Sequence, residues 1–346
     1  MAKKKTDSPA PLDPKDIEEL RQELLEKLGA KVSLGEDIKD SDLQSISTGS
    51  LKLDWALGTP FVEGSMNEIY GSNQTGKSTL ALEVSANAIK LGKPVFFFDM
   101  ERKLRESQLD MIKGLSAEAR KLFVRIRPDT GEEAADLIYD CIMDFPGCLI
   151  VFDSVSAMMP EIEGAESASK EMMGKVAKLC WKIVRKCLGP AERNKATLLF
   201  LSHISPKLNP YQSGDLVKGG RAIADLSAQR VKLKRLGSDI LKDKSGNLYG
   251  QMTQCEVVKN NMARPFRKVS VPIIWGKGID RCLDLVQLAR DLCVIDYQSK
   301  GGRYTYVFDD CPDGKKLFES QICEIIRTNS DYRNHILEKV AEVLGN

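Results

Sequence analysis

The chain has 346 residues, 42% of them hydrophobic, with a formal net charge of only +2. The apolar share is enough for a sizeable core, and the near-neutral balance confines any nucleic-acid surface to a local basic stripe. No apolar run approaches the about 20 residues of a membrane span, so no membrane partner is expected, and the Lys-rich residues 1–12 have no apolar centre, so they read as a disordered tail and not a signal peptide.

In chain order, Asp13-Pro14 is a capped helix start, and Ile17, Leu20, Leu24 and Leu28 come after it at helical spacing until Gly29. A polar stretch, 33–45, separates this amphipathic helix from the next apolar segment. Its apolar stripe must be covered by the same chain or by a neighbouring subunit. Met66, Ile69 and Tyr70 then read as a strand, and Leu80, Leu82, Val84, Ala86, Ala88 and Ile89 as a helix without Gly or Pro.

Between that strand and helix lies Gly71-Ser72-Asn73-Gln74-Thr75-Gly76-Lys77-Ser78, which fits the phosphate-binding pattern G-x-x-x-x-G-K-[ST] at every fixed position. A turn in this setting aims backbone N–H groups and the positive helix end at a polyphosphate. Residues Gly71 to Thr79 are thus expected to cradle the polyphosphate of a nucleotide, Lys77 to reach its β- and γ-phosphates, and Ser78 to ligate Mg²⁺.

Further along, 95–98 is a strand ending in Asp99-Met100-Glu101, 132–143 a helix, and 149–152 a strand ending in Asp153. Residues 172–187 read as a long helix whose Val176, Leu179, Ile183 and Val184 face the core. Residues 196–201 form a strand ending at Ser202-His203, and 230–236, 254–259 and 269–275 read as later strands. Alternating strands and helices imply a mostly parallel sheet covered on both faces, with ligands at the carboxyl ends of its strands. Gly276 and Gly278 close that region, and 282–346 reads as separate and more helical. The nine cysteines, odd in number and without C-x-x-C spacing, read as reduced cytoplasmic thiols, with Cys141, Cys148, Cys180 and Cys187 in the core.

Beside the phosphate loop, Asp153 is assigned to the Mg²⁺ shell over an ordinary strand-end Asp. Hydrolysis also needs a group that orients or deprotonates water, and Glu101 is the best placed, although by position alone it reads equally as a solvated loop residue. Residues 160–170 are small and polar, and 205–220 carry Pro206, Pro210, Gly214, Gly219 and Gly220, which rule out regular structure. The 172–187 helix offers Lys178, Lys182, Arg185 and Lys186. Residues 218–235 hold Lys218, Arg221, Arg230, Lys232, Lys234 and Arg235 against Asp225. Such a stripe tracks a phosphate backbone, or is simply a solvated face.

Several segments are similar to the bacterial RecA recombinase family: Ser45-Ile46-Ser47-Thr48-Gly49-Ser50-Leu51-Lys52-Leu53-Asp54 with Ala56-Leu57-Gly58, then Glu68-Ile69-Tyr70-Gly71, Pro128-Asp129-Thr130-Gly131-Glu132, Asp153-Ser154-Val155, and Val257-Val258-Lys259-Asn260 with Pro265-Phe266. The resemblance covers nearly the whole chain. It implies an α/β fold: a RecA-type P-loop ATPase core with a mostly parallel sheet over 46–278, an N-terminal oligomerisation helix and linker over 13–45, and a small C-terminal α/β domain over 279–346. It further implies a helical filament on single-stranded DNA, pairing and strand exchange with double-stranded DNA, and ATP at each subunit interface.

By the same resemblance Glu101 takes the catalytic-glutamate position, and Lys259 is the first of two lysines that contact ATP across the interface. The loops 160–170 and 205–220 match two DNA-binding loops. The implied DNA contacts are Lys178, Arg185, Lys207, Tyr211, Lys218, Gly219, Gly220 and Arg221. A cytoplasmic setting is implied too, in a bacterium or in the host of a bacteriophage.

The chain departs from the family at four places. His203 stands where the family has a γ-phosphate-sensing Gln, or is a His packed at a strand end. Asn261 replaces the second interface lysine, with Arg264 three residues on. Gln108 replaces an adenine-stacking Tyr. Residues 338–346 bring no acidic tail, so no tail-based restraint on DNA access is expected. Two competing expectations are a hexameric RecA-fold motor and a nucleotide-dependent DNA-coating protein with weak hydrolysis.

Overall fold

A computed structural model describes residues 44–158, 170–205, 216–217, 219, 221–243, 245–298, 301–308 and 311–345. The tail expected over 1–12 and the helix expected from residue 13 lie outside the described residues.

The first described elements are β1 (Ser45–Ile46), α1 (Leu51–Leu57) and β2 (Phe61–Val62), with β1 and β2 paired antiparallel. The Ser50 hydroxyl caps α1 by accepting from the Leu53 N–H at 3.2 Å. The strand–loop–helix unit comes next as β3 (Met66–Gly71) and α2 (Lys77–Lys90). After it come β4 (Val95–Asp99), the short α3 (Asp110–Lys113) and α4 (Ala117–Arg120), β5 (Phe123–Ile126), α5 (Gly131–Asp144), β6 (Leu149–Asp153), α6 (Lys170–Arg193) and β7 (Thr197–Ser205).

Next are β8 (Leu216–Val217), α7 (Ala222–Leu226), β9 (Gln229–Lys242), β10 (Leu248–Asn260), β11 (Lys268–Ile274) and β12 (Gly278–Ile279). These build one sheet in the order β12-β11-β10-β9-β3-β7-β6-β4-β5, with β8 folded back on β7. The pairs from β9 through β3, β7, β6 and β4 to β5 are parallel, and β9 to β12 add an antiparallel wing.

Strands β4 and β6 are apolar runs up to a final Asp because both faces are covered, whereas β3 also buries Asn67 and Glu68. Side chains alternate across the sheet. Ile69, Phe97, Val151, Leu199 and Val231 pack on one side with Leu80, Val84 and Ala88 of α2. Phe96, Phe98, Ile150, Phe152, Leu198 and Phe200 pack on the other with Ile138 of α5 and Leu179, Ile183 and Val184 of α6. Each such buried side chain contributes roughly 1.5–3 kcal/mol. Cys141, Cys148, Cys180 and Cys187 are buried free thiols in this second layer.

The remaining elements are α8 (Arg281–Asp291), β13 (Tyr297–Gln298), β14 (Arg303–Phe308), β15 (Cys311–Phe318), α9 (Glu319–Thr328) and α10 (Ser330–Leu344). The three strands form an antiparallel sheet that the residue pattern of 282–346, read as more helical, does not mark, although the resemblance implies α/β structure there. Its inward residues, Tyr304 and Tyr306, make only a short alternation. The long helix also outruns its expected end at Cys187: it continues through Pro190 to Arg193, with Cys187, Pro190 and Ala191 buried. Burial there outweighs the N–H that Pro lacks.

Candidate nucleotide site

Four parallel strands end at one edge of the sheet and bring their next residues together. Gly71 lies beside His203 in the β3–β7 register, and Asp99 beside Asp153 in the β4–β6 register. The turn after β4 is tied down further, since the N–H groups of Met100 and Glu101 donate to the Asp153 carbonyl at 2.8 and 3.3 Å. The result is a cleft of about 360 Å³ lined by Asn73, Gln74, Thr75, Gly76, Lys77, Ser78, Thr79, Glu101, Lys103, Gln108, Asp153 and His203.

The loop's shape is set by its glycines. Gly76 has φ +90°, a left-handed conformation that costs a glycine nothing. At Gly71 a Cβ would sit 2.4 Å from the Leu233 carbonyl oxygen of β9. Side chains finish the turn: Thr75 Oγ1 donates to the Ser72 carbonyl at 2.9 Å, and from β10 Gln251 Nε2 and Thr253 Oγ1 donate to the Gln74 and Thr75 carbonyls, each at 3.1 Å. Helix α2 starts at Lys77, so its free N–H groups open on the cleft.

The Lys77 ammonium donates to the Gly71 and Ser72 carbonyls at 3.1 and 2.8 Å. Burial lowers its pKa to about 8, against the opposing pull of Asp153 and Glu101. Ser78 Oγ donates to Asp153 Oδ2 at 2.6 Å, and burial raises the Asp153 carboxyl above the ordinary Asp value. These are two hard oxygen donors of the kind Mg²⁺ takes together with phosphate oxygens. Among the described residues no group of three or more His, Cys, Asp or Glu side chains is placed to hold a metal by itself.

Glu101 is the most heavily bonded group in the cleft. Its Oε1 accepts from Ser154 Oγ at 2.5 Å and from His203 Nε2 at 2.8 Å, and its Oε2 from Lys103 Nζ at 2.7 Å. An ionised carboxylate only accepts, so His203 Nε2 is the donor in this contact. The His203 hydrogen bond, aided by those from Lys103 and Ser154, holds Glu101 well below the usual carboxylate range. Ser154 enters the sequence reading only as part of the Asp153-Ser154-Val155 match, without a role, and Lys103 does not enter it. For Lys103 the only signal is that it lies two residues from Glu101.

Gln108 lines the same cleft, where the resemblance puts a stacking Tyr. Lys259 does not line it: its ammonium donates to the Asp225 carbonyl at 2.7 Å. Lys178 and Arg185 lie with Trp181, Lys182 and Lys186 along one face of α6, with the Arg185 guanidinium 5.2 Å above the Trp181 ring. Gly219 and Arg221 lead into α7. Lys207, Tyr211, Lys218 and Gly220 lie outside the described residues. Strand β8 pairs with β7 at Ile204–Val217, next to His203. The end of β7 and the start of β8 therefore lie beside the cleft.

The profile of the RecA N-terminal domain matches residues 17–280. Protein RecA of Nocardioides sp. (strain ATCC BAA-499 / JS614) is 32% identical, over 92% of this chain and 87% of its own length. Protein RecA of Nitratidesulfovibrio vulgaris (strain DP4) is 31% identical over 100% of this chain and 94% of its own length. Among solved structures, the RadB recombinase aligns with a TM-score of 0.52 at 19% identity, over 68% of this chain and 98% of that one, a likeness of fold.

Proposed function

We propose, from the premise that this chain belongs to the RecA family, that it is a DNA-dependent ATPase and recombinase that assembles on single-stranded DNA and pairs it with a homologous duplex. The observation that carries this reading is the meeting of Lys77, Ser78, Asp153 and Glu101 in one cleft at the strand ends. On this reading residues 46–278 are the ATPase core, 279–346 the small C-terminal domain, and 13–45 a helix that docks on the next subunit.

Lys77 and the α2 N-terminus would hold the β- and γ-phosphates of ATP, with Ser78 and Asp153 as the Mg²⁺ ligands. Bound there, Mg²⁺ would neutralise charge between the β- and γ-phosphates. Glu101, kept anionic by its neighbours, would orient the attacking water and take its proton. The water oxygen bonds to the γ-phosphorus as the bond to the bridging oxygen breaks, and that electron pair leaves with ADP.

His203 joins Glu101 to the end of β7, from which the segment toward β8 departs. This supports a coupling of the nucleotide to a DNA-facing loop. Lys178, Arg185, Lys207, Tyr211, Lys218, Gly219, Gly220 and Arg221 would contact the DNA, and Lys259 would act on a neighbour's ATP. A slow, DNA-coating variant of this activity draws support from Asn261, which brings no cation to that interface. The test is Glu101→Gln. It should keep ATP and DNA binding and lose turnover by about 10²- to 10⁴-fold. Turnover at the wild-type rate would refute the role of Glu101.

A further inference from the structure

Lys103 is a cation of the cleft that neither the phosphate-loop pattern nor the family resemblance accounts for. Asp99, buried at the end of β4, accepts from the Lys103 N–H at 3.0 Å and so fixes its backbone. Arg102 has φ +55°, which turns the chain back on itself, and its guanidinium pairs with Asp129. The Lys103 side chain lines the cleft, although 78% of it is exposed, and its ammonium rests on Glu101 Oε2.

That contact occupies the oxygen a water would need. Ser154 and His203 already use Oε1, so Oε2 is the atom left to face a nucleophile. An exposed ion pair is weak, and a triphosphate terminus competes well for an ammonium that can swing. We propose that Lys103 is a γ-phosphate ligand supplied by the same chain as the phosphate loop, its ammonium exchanging between Glu101 Oε2 and the terminal phosphoryl oxygens and so freeing Oε2 for water. The proposal rests on the ATPase reading above. It makes Lys103 both a charge donor to the phosphate and the device that couples the γ-phosphate to release of Glu101. ADP, which lacks that phosphate, leaves the Lys103–Glu101 contact in place.

The test compares the affinities of wild type, Lys103→Ala and Lys103→Arg for a non-hydrolysable ATP analogue and for ADP, and their turnover of ATP. Since Lys103 is mostly exposed, the Ala variant should melt as the wild type does. It should lose roughly ten- to hundred-fold in preference for the triphosphate over ADP and lose turnover with it, while Lys103→Arg keeps most of both. In a Glu101→Gln background the same loss of preference should persist, because the contact is to phosphate. An unchanged preference in Lys103→Ala, faster turnover, or a loss that vanishes in the Glu101→Gln background would overturn the proposal and leave Lys103 a solvated partner of Glu101. Wild-type protein that binds neither nucleotide would overturn the ATPase reading and this inference together. Wild-type turnover with an unchanged preference in Lys103→Ala would overturn this inference alone.

Discussion

His203 Nε2 lies 2.8 Å from Glu101 Oε1, so the ends of β7 and β4 are joined by one side-chain contact across the top of β6. A hydrogen bond of this kind fixes where a carboxylate points. His203→Ala should lower kcat by about ten-fold or more and leave the KM for ATP within a few-fold, because His203 acts through Glu101. His203→Gln, which retains a donor, should recover much of the rate. Equal defects in the Ala and Gln variants would show that the imidazole itself matters, beyond its hydrogen bond.

Close packing at the phosphate loop sets a second expectation. A Cβ at Gly71 would lie 2.4 Å from the Leu233 carbonyl oxygen, a backbone atom that moves only with β9. Gly71→Ala should cost about 1–3 kcal/mol of stability and abolish nucleotide binding, read by chemical denaturation and by titration with a fluorescent ATP analogue. Wild-type affinity in this variant would mean that the loop shifts freely, against the account.

The junction between α1 and α8 sets a pH dependence. Asp284 Oδ1 accepts from Ser50 Oγ at 2.7 Å, and burial raises the Asp284 pKa to about 6. The folded chain therefore holds this proton more tightly than the unfolded one. Its contribution to stability is full below about pH 4 and is lost as pH climbs through about 6. The change amounts to about 3 kcal/mol. Relative to Asp284→Asn, the wild type should gain stability when pH falls from 7 to 4.5, as measured by denaturant unfolding. A constant difference would refute the protonated, buried carboxyl.

The face of α6 sets a prediction about DNA. Lys178 and Arg185 flank Trp181, which combines phosphate-neutralising cations with a surface on which bases stack. Lys178→Ala with Arg185→Ala should weaken single-stranded DNA binding about ten-fold and flatten its salt dependence by about two charges. An unchanged salt slope would return this face to ordinary solvated surface.

The parts of the fold that were legible in the sequence are those whose pattern is local. Buried strands such as 95–98 and 149–152 are continuous apolar runs, and the phosphate loop is fixed by spacing, so both could be read directly. Strand β5 is half exposed and carries Arg125, so it gives no clear period. The outer halves of β9 and β10 and the small sheet built around Tyr304 and Tyr306 gain their apolar partners only through tertiary pairing. The acids of the cleft were found because they end strands. The roles of Ser154, Lys103, Gln251 and Thr253 were not, because each acts by reaching an atom distant in sequence or around a turn, and hydrogen-bond reach leaves no mark in composition or period.

The central claim is tested most directly by measuring ATP turnover with and without single-stranded DNA while imaging the same mixtures by electron microscopy. The account predicts DNA-stimulated turnover together with helical filaments. Closed rings, or filaments that never turn over ATP, would contradict it, the first pointing to a hexameric motor and the second to a coating protein.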